Sequence, residues 1–241
     1  MLYPDRRHRK QSVLRIGNAS RTCFFLLVFV LSSTAVGNDN RLRSRIINSE
    51  EFTFLRLVYS GNDWMGTSWT VDYPKADIQF IHGLGRLTDF GFVNPQHRVM
   101  TILDTDIFRY PFVYAVEVGN MRLSDLEVKQ LREYLLRGGF LVVDDFHGEY
   151  EWQNFYSQMK RVFPEYEPID LPLSHPVFHC YYDIHELIQI PGLQFAYSGR
   201  TWEKGGYEAH YRGIHDQNGR LMVMINHNVD LGDAWEWAEV D

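Results

Sequence analysis

A capped helix that runs into an uninterrupted apolar strand is the feature that most constrains the fold of this chain. Ser124 and Glu127 form a capping box, in which the Ser124 hydroxyl accepts from the backbone N–H of Glu127, so a helix begins here. Three apolar residues then recur at helical spacing: Val128, Leu131 and Leu135. The glycine pair 138–139 ends the helix. Residues 140–143 follow as an apolar run, which is typical of a strand buried on both faces of a parallel sheet.

Three more segments have the aromatic and branched composition of strands: 52–59, 98–103 and 111–118. The second and third of these lack polar alternation, so we expect both to be buried on two faces. Residues 75–87 and 149–163 are predicted to be helices. Strand, helix and strand in this rhythm predict right-handed βαβ units, and therefore an α/β fold in which helices cover both faces of a parallel sheet.

The last third of the chain departs from this pattern. It predicts a β-hairpin, with strands at 211–215 and 221–226 and a turn at 216–219. Because the sequence has no internal repeat and no low-complexity tract, we expect a single domain over residues 52–241 with an elaborated C-terminal part. The polar and charged residues 38–51 are expected to be a linker.

Residues 1–37 have the three zones of a secretory signal peptide. Six basic residues come first: Arg6, Arg7, Arg9, Lys10, Arg15 and Arg21. Residues 23–31 are nine consecutive apolar residues, less than half of the roughly 20 that a membrane-spanning helix needs. Small residues follow, and cleavage is expected after Ala35 or Gly37. The protein is therefore expected to be exported, either periplasmic or secreted; the alternative is an uncleaved segment that anchors it to the membrane.

The charge balance excludes one class of partner. The chain has a formal charge of −7, and removal of residues 1–37 would leave 18 basic and 30 acidic residues, a charge of −12. Such a surface repels phosphate backbones, so nucleic acid is not an expected partner. Cys23 would leave with the signal, and no internal disulfide is then expected at Cys180. A domain of about 200 residues buries enough surface to be stable without one.

Acidic residues follow two of the predicted strands. Asp104 and Asp106 come after one of them, and Asp144 and Asp145 come after another, with His147 close behind. In open parallel sheets, ligands bind beyond the carboxyl ends of the strands. Carboxylates and an imidazole in such a place could bind a divalent metal or act as acid and base. The alternative is that these aspartates cap the segments that follow them.

Histidines and tryptophans supply further candidates for ligand binding, namely His175, His227, Trp64 and Trp69. The sequence contains no Cys-x-x-Cys or His-Glu-x-x-His pattern, so the strong zinc signatures are absent and any metal is unidentified. It also has no Gly-x-Ser-x-Gly elbow and no P-loop. Tryptophans beside carboxylates would suit sugar rings, because stacking and hydrogen bonding can act together; the alternative is that most of them belong to the core.

An ordered set of motifs resembles the bacterial family called domain of unknown function 4159. The motifs are Pro-Phe-Val-Tyr at 111–114, Gly-Gly-Phe-Leu-Val-Val-Asp-Asp at 138–145, His-Pro-Val-Phe at 175–178, Gly-Arg-Leu-Met-Val at 219–223 and Asn-Val-Asp-Leu-Gly-Asp-Ala-Trp-Glu at 228–236. The likeness covers roughly residues 52–241. It implies a three-layer flavodoxin-like fold of the class I glutamine amidotransferase-like group, which also includes trehalose-utilisation proteins. It further implies that the protein is exported or membrane-associated.

The resemblance also implies that this chain does not hydrolyse glutamine. In true amidotransferases a cysteine nucleophile lies in the sharp turn after a central strand, and Asp144 and Asp145 take that place here. A carboxylate cannot form the thioester that glutamine hydrolysis uses. Members of the family usually continue past the Trp-Glu segment at 235–236, so a chain that ends at Asp241 is expected to be shortened at its C-terminus.

Three functional hypotheses remain open on the sequence alone. The first is a cell-envelope module that binds a carbohydrate or a protein partner on an amidotransferase-like scaffold. The second is a hydrolase of a glycan or an amide, in which Asp144 or Asp145 is a base or metal ligand and His147 is a proton donor or ligand. The third is a purely structural remnant. No cofactor is established by the sequence, although a divalent metal would fit the second hypothesis.

Overall fold

The computed structural model describes residues 52–61, 68–88 and 93–238. The predicted signal peptide, the predicted linker and Trp64 lie outside the described residues. Among the helices of the described part, none is long and apolar enough to cross a membrane.

One sheet of seven strands, as far as the chain is described, forms the centre of the protein in the order β2-β1-β3-β4-β7-β6-β5. Its strands are β1 (Leu55–Val58), β2 (Arg98–Thr101), β3 (Phe112–Val116), β4 (Phe140–Phe146), β5 (Ile169–Asp170), β6 (His210–His215) and β7 (Leu221–His227). The first five strands in this spatial order are parallel to one another. Beyond them, β6 pairs antiparallel with β7, and β5 pairs antiparallel with β6. When β7 is counted as the fifth parallel strand, the parallel part has the 2-1-3-4-5 strand order of flavodoxin-like folds, and the prediction of an α/β fold with a mostly parallel sheet is confirmed.

Helices cover both faces of this sheet. The α-helices are α1 (Lys75–Leu87), α2 (Asp125–Leu136), α3 (Gly148–Val162), α4 (Leu193–Ala196) and α5 (Leu231–Glu236). Since successive residues of a strand point to opposite faces, Val113 and Ala115 pack with residues of α2 and α3, whereas Tyr114 packs with residues of α1 and α5. The three-layer arrangement follows from this alternation of apolar residues along the strands.

The capped helix that precedes β4 folds as predicted. Ser124 Oγ accepts from the backbone N–H of Glu127 at 3.3 Å, and a Glu127 carboxylate oxygen accepts from the Ser124 N–H at 2.7 Å. The helix ends before Gly138, whose φ of 115° favours glycine. The predicted hairpin is also present as β6 and β7.

One prediction about burial is wrong. The strand β2 was expected to be buried on two faces, but it forms the edge of the sheet, and its end residues Arg98 and Thr101 are exposed. The segment is too short for its composition to distinguish a central strand from an edge strand.

Candidate functional site

Polar residues follow the central strands at one edge of the sheet. Glu117 comes directly after β3, Asp144 and Asp145 lie near the end of β4, and Asn228 and Asp230 follow β7. Because these three strands are parallel neighbours, their carboxyl ends meet at the same edge. We call the region beyond these strand ends the carboxyl edge. It includes the switch point between β1 and β3, where flavodoxin-like folds bind ligands.

Asp145 has an unusual backbone position at this edge. Its φ is 51°, and the register of β4 against β7 shifts between Val143 and Phe146. The Asp145 N–H donates to the carbonyl of Val229 at 3.0 Å, and its carbonyl accepts from the N–H of Glu117 at 3.1 Å. The chain after β3, the end of β4 and the chain after β7 are therefore tied together through one strained residue.

Strained residues are concentrated in this region. In the described residues, five non-glycine residues have a positive φ: Asp72, Glu117, Asp145, Lys204 and Asn228. Each such conformation costs of the order of 1 kcal/mol or more, less for Asp and Asn, and persists only where the surroundings impose it. Glu117, Asp145 and Asn228 lie at or just after the ends of the three central strands, Asp72 approaches Asp145, and Lys204 reaches Glu117, so all five meet at the carboxyl edge. Such clustering of strain is typical of functional sites.

Three carboxylates from separate segments converge here. One oxygen from each of Asp72, Asp145 and Asp230 lies within 4.8 Å of the others. Asp72 comes shortly before α1, and Asp230 is the N-cap of α5, accepting from the N–H of Asp233 at 2.7 Å. A second group with the same spacing combines Asp72 with Asp233 and Glu236. We call the first three residues the carboxylate triad.

Asp144 lies behind the triad and is fully buried. Its Oδ2 accepts three hydrogen bonds, from the Tyr114 hydroxyl at 2.9 Å and from the backbone N–H groups of Leu231 at 2.7 Å and Gly232 at 3.0 Å. Its other oxygen, Oδ1, is buried and accepts no hydrogen bond of good geometry. The side chain of Asn226, on β7, nevertheless lies close enough to the carboxylate to oppose the rise of its pKa.

The buried acids of this edge hold protons more tightly than ordinary carboxylic acids do. Burial, and secondarily the charge of Asp233, raises the pKa of Asp72 to about 7. Burial raises the pKa of Asp144 to about 7, although the Tyr114 hydroxyl opposes the shift. Burial and the charge of Asp144 raise the pKa of Asp230 to about 9, and burial with the neighbouring Asp230 raises the pKa of Asp145. The cluster therefore carries more carboxylates than its surroundings can keep ionised.

His147 is the nearest base to the triad. Its Nε2 lies 3.2 Å from Asp145 Oδ1, and the imidazole is buried. Burial, followed by the charge of Lys204, lowers the pKa of His147 to about 3. The ring is therefore neutral at pH 7 and serves as a hydrogen-bond partner of Asp145 rather than as a source of a proton.

Lys204 brings a positive charge to the rim of the site. Its Nζ lies 2.7 Å from a Glu151 carboxylate oxygen and 3.6 Å from one of Glu117. Lys204 and Gly205 are the central residues of a tight turn, closed by the N–H of Gly206 donating to the Glu203 carbonyl at 2.6 Å. Both central residues have positive φ, as in type I′ turns. Since lysine is unfavourable in that conformation, the position of its ammonium group explains the choice of residue.

The same turn carries an aromatic pair. The rings of Trp202 and Tyr207 flank the turn with centroids 4.5 Å apart, and Tyr207 is 66 % exposed. The Arg200 guanidinium lies 4.1 Å from the centroid of the Trp202 ring. On the inner side of the turn, Glu203 accepts from the N–H of Gly192 at 2.9 Å, and a Cβ built on Gly192 would lie 3.2 Å from an oxygen of Asp230. The turn that follows Trp202 therefore lies next to Asp230, through Glu203 and Gly192.

Among the candidates from the sequence, Asp144, Asp145 and His147 are brought together. His227 is buried nearby on β7, with Nε2 3.1 Å from the Gly148 carbonyl and Nδ1 3.2 Å from Arg212. Both of its ring nitrogens are therefore engaged with the fold.

The other candidates lie on different segments. Asp104 and Asp106 are exposed on the 3₁₀ helix after β2, where Asp104 accepts from the Asp106 N–H at 3.5 Å. Trp69 is half-buried and packs against the core beside Tyr73, with ring centroids 5.9 Å apart. His175 begins the 3₁₀ helix Pro176–His179 and accepts from the Val177 N–H at 3.2 Å. None of the four belongs to the carboxylate groups found in the described residues.

Sequence reasoning missed Asp72, Asp230 and Lys204. Asp230 could have been found, because it stands next to a leucine and three residues before Asp233, as a helix N-cap does. Asp72 and Lys204 gave no such signal, since each reaches the site through a positive-φ residue outside the predicted strand ends, and this conformation is unfavourable for lysine.

The model of the family described as "Domain of unknown function (DUF4159)" matches residues 53–241. The comparison with curated proteins finds no match to the chain.

Proposed function

This chain belongs to that family, and we propose that it is an exported protein of the cell envelope that binds a carbohydrate at the carboxyl edge of its sheet. The proposal makes the protein a binding module on a flavodoxin-like scaffold. Export is supported by the basic, apolar and small-residue zones of residues 1–37. N-terminal sequencing of the protein recovered from its native host tests this part, with Val36 or Asn38 expected as the first residue.

The turn at Glu203–Gly206 is the observation that carries the binding proposal. It is flanked by half-buried Trp202 and exposed Tyr207. Within the turn, Lys204 reaches the Glu151 carboxylate, and buried Glu203 binds the Gly192 N–H beside Asp230. A sugar ring has an apolar C–H face that stacks on aromatic rings and a rim of hydroxyl groups that donate to carboxylates. The segment around the turn supplies the aromatic rings, and the carboxyl edge beside it supplies the carboxylates.

The charge of the site narrows the class of carbohydrate. The triad and its neighbours are carboxylic acids, and the expected mature chain is strongly acidic. A uronic acid or phosphate group would be repelled at this edge. We therefore propose a neutral oligosaccharide as the ligand.

Cys180 does not supply a nucleophile to this edge. It follows the 3₁₀ helix Pro176–His179, where its Sγ lies 3.1 Å from the Pro176 carbonyl. Asp145 takes the strained position near the end of the central strand β4. This arrangement supports a binding role over an amidotransferase role.

Isothermal titration calorimetry tests the binding proposal. We expect chitotetraose or maltotetraose to bind the purified protein, and tetragalacturonate not to bind. Trp202→Ala and Tyr207→Ala should each weaken binding roughly three- to tenfold, since an aromatic contact contributes about 0.5–1.5 kcal/mol beyond its buried area. Tyr181→Ala is the matched control, because Tyr181 and Tyr182 form another exposed pair, on a different segment, with centroids 4.6 Å apart.

Equal affinities of the wild type, the Tyr207→Ala variant and the control would remove the aromatic pair from the site. Preference for the anionic oligosaccharide would contradict the charge argument. Circular dichroism confirms that each variant is folded before its affinity is interpreted.

A hydrolase is the second candidate, favoured by the strained Asp145 with its bound His147. Carbohydrate hydrolysis commonly uses two carboxyl groups, one ionised and one protonated. Asp145 and Asp230 are close enough to share such roles. Release of reducing sugar from chitotetraose or maltotetraose, abolished in Asp145→Asn and Asp230→Asn with the fold intact, would favour this candidate over pure binding.

A further inference from the structure

We propose that Arg200 is the hydrogen-bond donor that selects the sugar at the Trp202–Tyr207 pair, and that the ligand is a neutral glycan whose rings carry two adjacent free hydroxyl groups. Arg200 belongs to the segment that carries the proposed function, so its role rests on that function. The guanidinium group would give the site a donor of hydrogen bonds, where the carboxyl edge supplies acceptors.

Several contacts hold the half-buried Arg200 side chain in place. Gly199, whose φ is 72°, turns the chain after α4 so that the Arg200 N–H donates to the Phe195 carbonyl at 3.1 Å. The guanidinium carbon lies 4.4 Å from the centroid of the Phe195 ring and 4.1 Å from that of Trp202. Its Nε donates to the Trp202 carbonyl at 2.7 Å. Because the side chain is already fixed, it loses little conformational entropy when a ligand binds.

Arg200 differs from the other arginines that lie against aromatic rings. Among the described residues there are five such arginines, and four of them form a salt bridge with an acid. The four pairs are Arg56 with Asp77, Arg132 with Glu165, Arg137 with Glu133 and Arg212 with Asp170. Within the described part of the chain, Arg200 has no such acid, and its two terminal nitrogens donate to no residue. The fold therefore fixes a pair of strong donors that it does not itself use.

The surroundings of Arg200 decide which acceptor suits these donors. Guanidinium N–H groups bind carboxylate, phosphate and hydroxyl oxygens. Anionic groups are disfavoured here, because the expected mature chain is strongly acidic and the carboxylate triad lies at the neighbouring edge. Burial raises the pKa of Glu203, and the charges of Lys204 and Arg200 oppose this rise, so the donors lie near a buried carboxyl group. A hydroxyl group is uncharged, and it can accept from Arg200 while it donates to a carboxylate.

Two adjacent hydroxyl groups of one sugar ring match the two terminal nitrogens of Arg200. The guanidinium is planar, and these nitrogens donate in parallel to two oxygens that lie side by side. The same sugar ring can present its C–H face to Tyr207, which is 66 % exposed and packs against Trp202. Every ring of maltotetraose carries free hydroxyls on C2 and C3, whereas an acetamido group occupies C2 throughout chitotetraose. Of these two oligosaccharides, maltotetraose is therefore the expected ligand.

Isothermal titration calorimetry with maltotetraose and chitotetraose tests the role of Arg200. The wild type should bind maltotetraose about tenfold more tightly, the effect of one hydrogen bond to a charged group. Arg200→Lys keeps the positive charge but loses the paired donors, so it should weaken maltotetraose binding about tenfold and leave chitotetraose binding nearly unchanged. Arg200→Met should give the same pattern. Arg137→Lys is the matched control, because Arg137 also lies over an aromatic ring, that of Phe108, on another segment.

An arginine that only supports the Trp202 ring would affect both oligosaccharides alike, so equal losses in the Arg200 variants would overturn the proposal. Equal or tighter binding of chitotetraose by the wild type would also overturn it, and this comparison decides the question should the variants fail to fold. Binding of tetragalacturonate that is lost in Arg200→Met would show that the donors take an anion instead. Maltotetraose binding that is weakened in Tyr207→Ala but unchanged in both Arg200 variants would overturn the role of Arg200 and leave the proposed function intact. Absence of binding of either oligosaccharide to the wild type would overturn both.

Discussion

Two buried sets of acids in this protein solve the same electrostatic problem in opposite ways. Asp77 on α1 is completely buried, and the equally buried Arg56 of β1 binds both of its oxygens. At the carboxyl edge, Asp144 is just as buried, and Asp145 and Asp230 nearly so. Yet Asp144 is bound by a hydroxyl and backbone N–H groups, and Asp145 by a neutral histidine.

The difference separates a structural from a functional arrangement. A buried carboxylate needs a cation, a proton or enough hydrogen bonds. Arg56 supplies Asp77 with a cation within the fold, although burial still raises the pKa of Asp77. Arg56 also donates to the Val71 carbonyl at 3.2 Å, directly before Asp72. It thereby holds the segment that delivers one member of the triad. The carboxyl edge leaves its need unmet, so it is adapted to something that comes from outside.

Breaking the paired acid should have the largest effect. Arg56→Met removes the cation and leaves Asp77 buried and uncompensated, which should lower the free energy of unfolding by about 3–5 kcal/mol. Urea denaturation followed by circular dichroism measures the loss. Arg137→Met is the control, because Arg137 pairs with Glu133 on an exposed face, and such pairs contribute about 0–1 kcal/mol. Equal losses in the two variants would mean that burial of the pair does not matter.

The unpaired acids predict how stability depends on pH. The free energy of unfolding should fall as pH rises from about 6.5 towards 9, a range in which the buried imidazole of His147, whose pKa is lowered to about 3, binds no proton in the folded state and few in the unfolded state. The sign follows from the raised pKa values of Asp144, about 7, and Asp230, about 9, against 3.8 in the unfolded chain. The folded state holds protons that the unfolded state releases, so stability that is complete below pH 4 is lost as pH rises through the folded pKa values.

The expected loss between pH 6.5 and pH 8 is of the order of 3 kcal/mol. Urea titrations at several pH values measure it. A free energy of unfolding that rises over this range would show that burial does not raise the pKa values of these acids.

The same substitution in the two regions should have opposite signs. At pH 8, Asp144→Asn should raise the free energy of unfolding by about 1 kcal/mol, because it removes a carboxyl group that is buried without a cation. Asp77→Asn should lower it, since it leaves Arg56 uncompensated. Parallel urea titrations compare the two variants, and the gain in Asp144→Asn should vanish at pH 4. A loss in both variants would mean that Asp144 acts as a structural residue through the bonds to its Oδ2.

The sequence predicted the parts of the fold that local patterns determine. The capping box at Ser124, the apolar run of β4 and the hairpin all depend on neighbours within a few residues. The burial of β2 was predicted wrongly, because its place at the edge depends on which strands lie beside it and not on its own residues. The composition of a segment can identify it as a strand, but the order of the strands in the sheet decides how exposed that strand is.

The site was predicted only where it follows a strand directly. Asp144, Asp145 and His147 were found because the carboxyl end of a buried strand is a general place for ligands. Asp72 and Asp230 join them across about 70 and 85 residues of chain, through packing that no local pattern encodes. Lys204 was not predicted for a further reason, since its positive φ contradicts the preference of lysine and belongs to the tight turn closed by Gly206 and Glu203.

Two glycines give the smallest and last test of the contrast between structure and site. Gly85 lies on the exposed side of α1, and a Cβ built there meets nothing within 4 Å. Gly85→Ala should therefore stabilise the protein by about 0.5–1 kcal/mol through helix propensity. Gly232 also lies in a helix, α5, but a Cβ there would clash with the Asp72 carboxylate.

Gly232→Ala should consequently forfeit the helix-propensity gain and lower the free energy of unfolding, because the Asp72 carboxylate or α5 must move to make room for the methyl group. Urea denaturation of both variants measures the two effects. If Gly232→Ala gained as much stability as Gly85→Ala, the carboxylate of Asp72 would not be held against Gly232, and the fold would not impose its approach to Asp145 and Asp230.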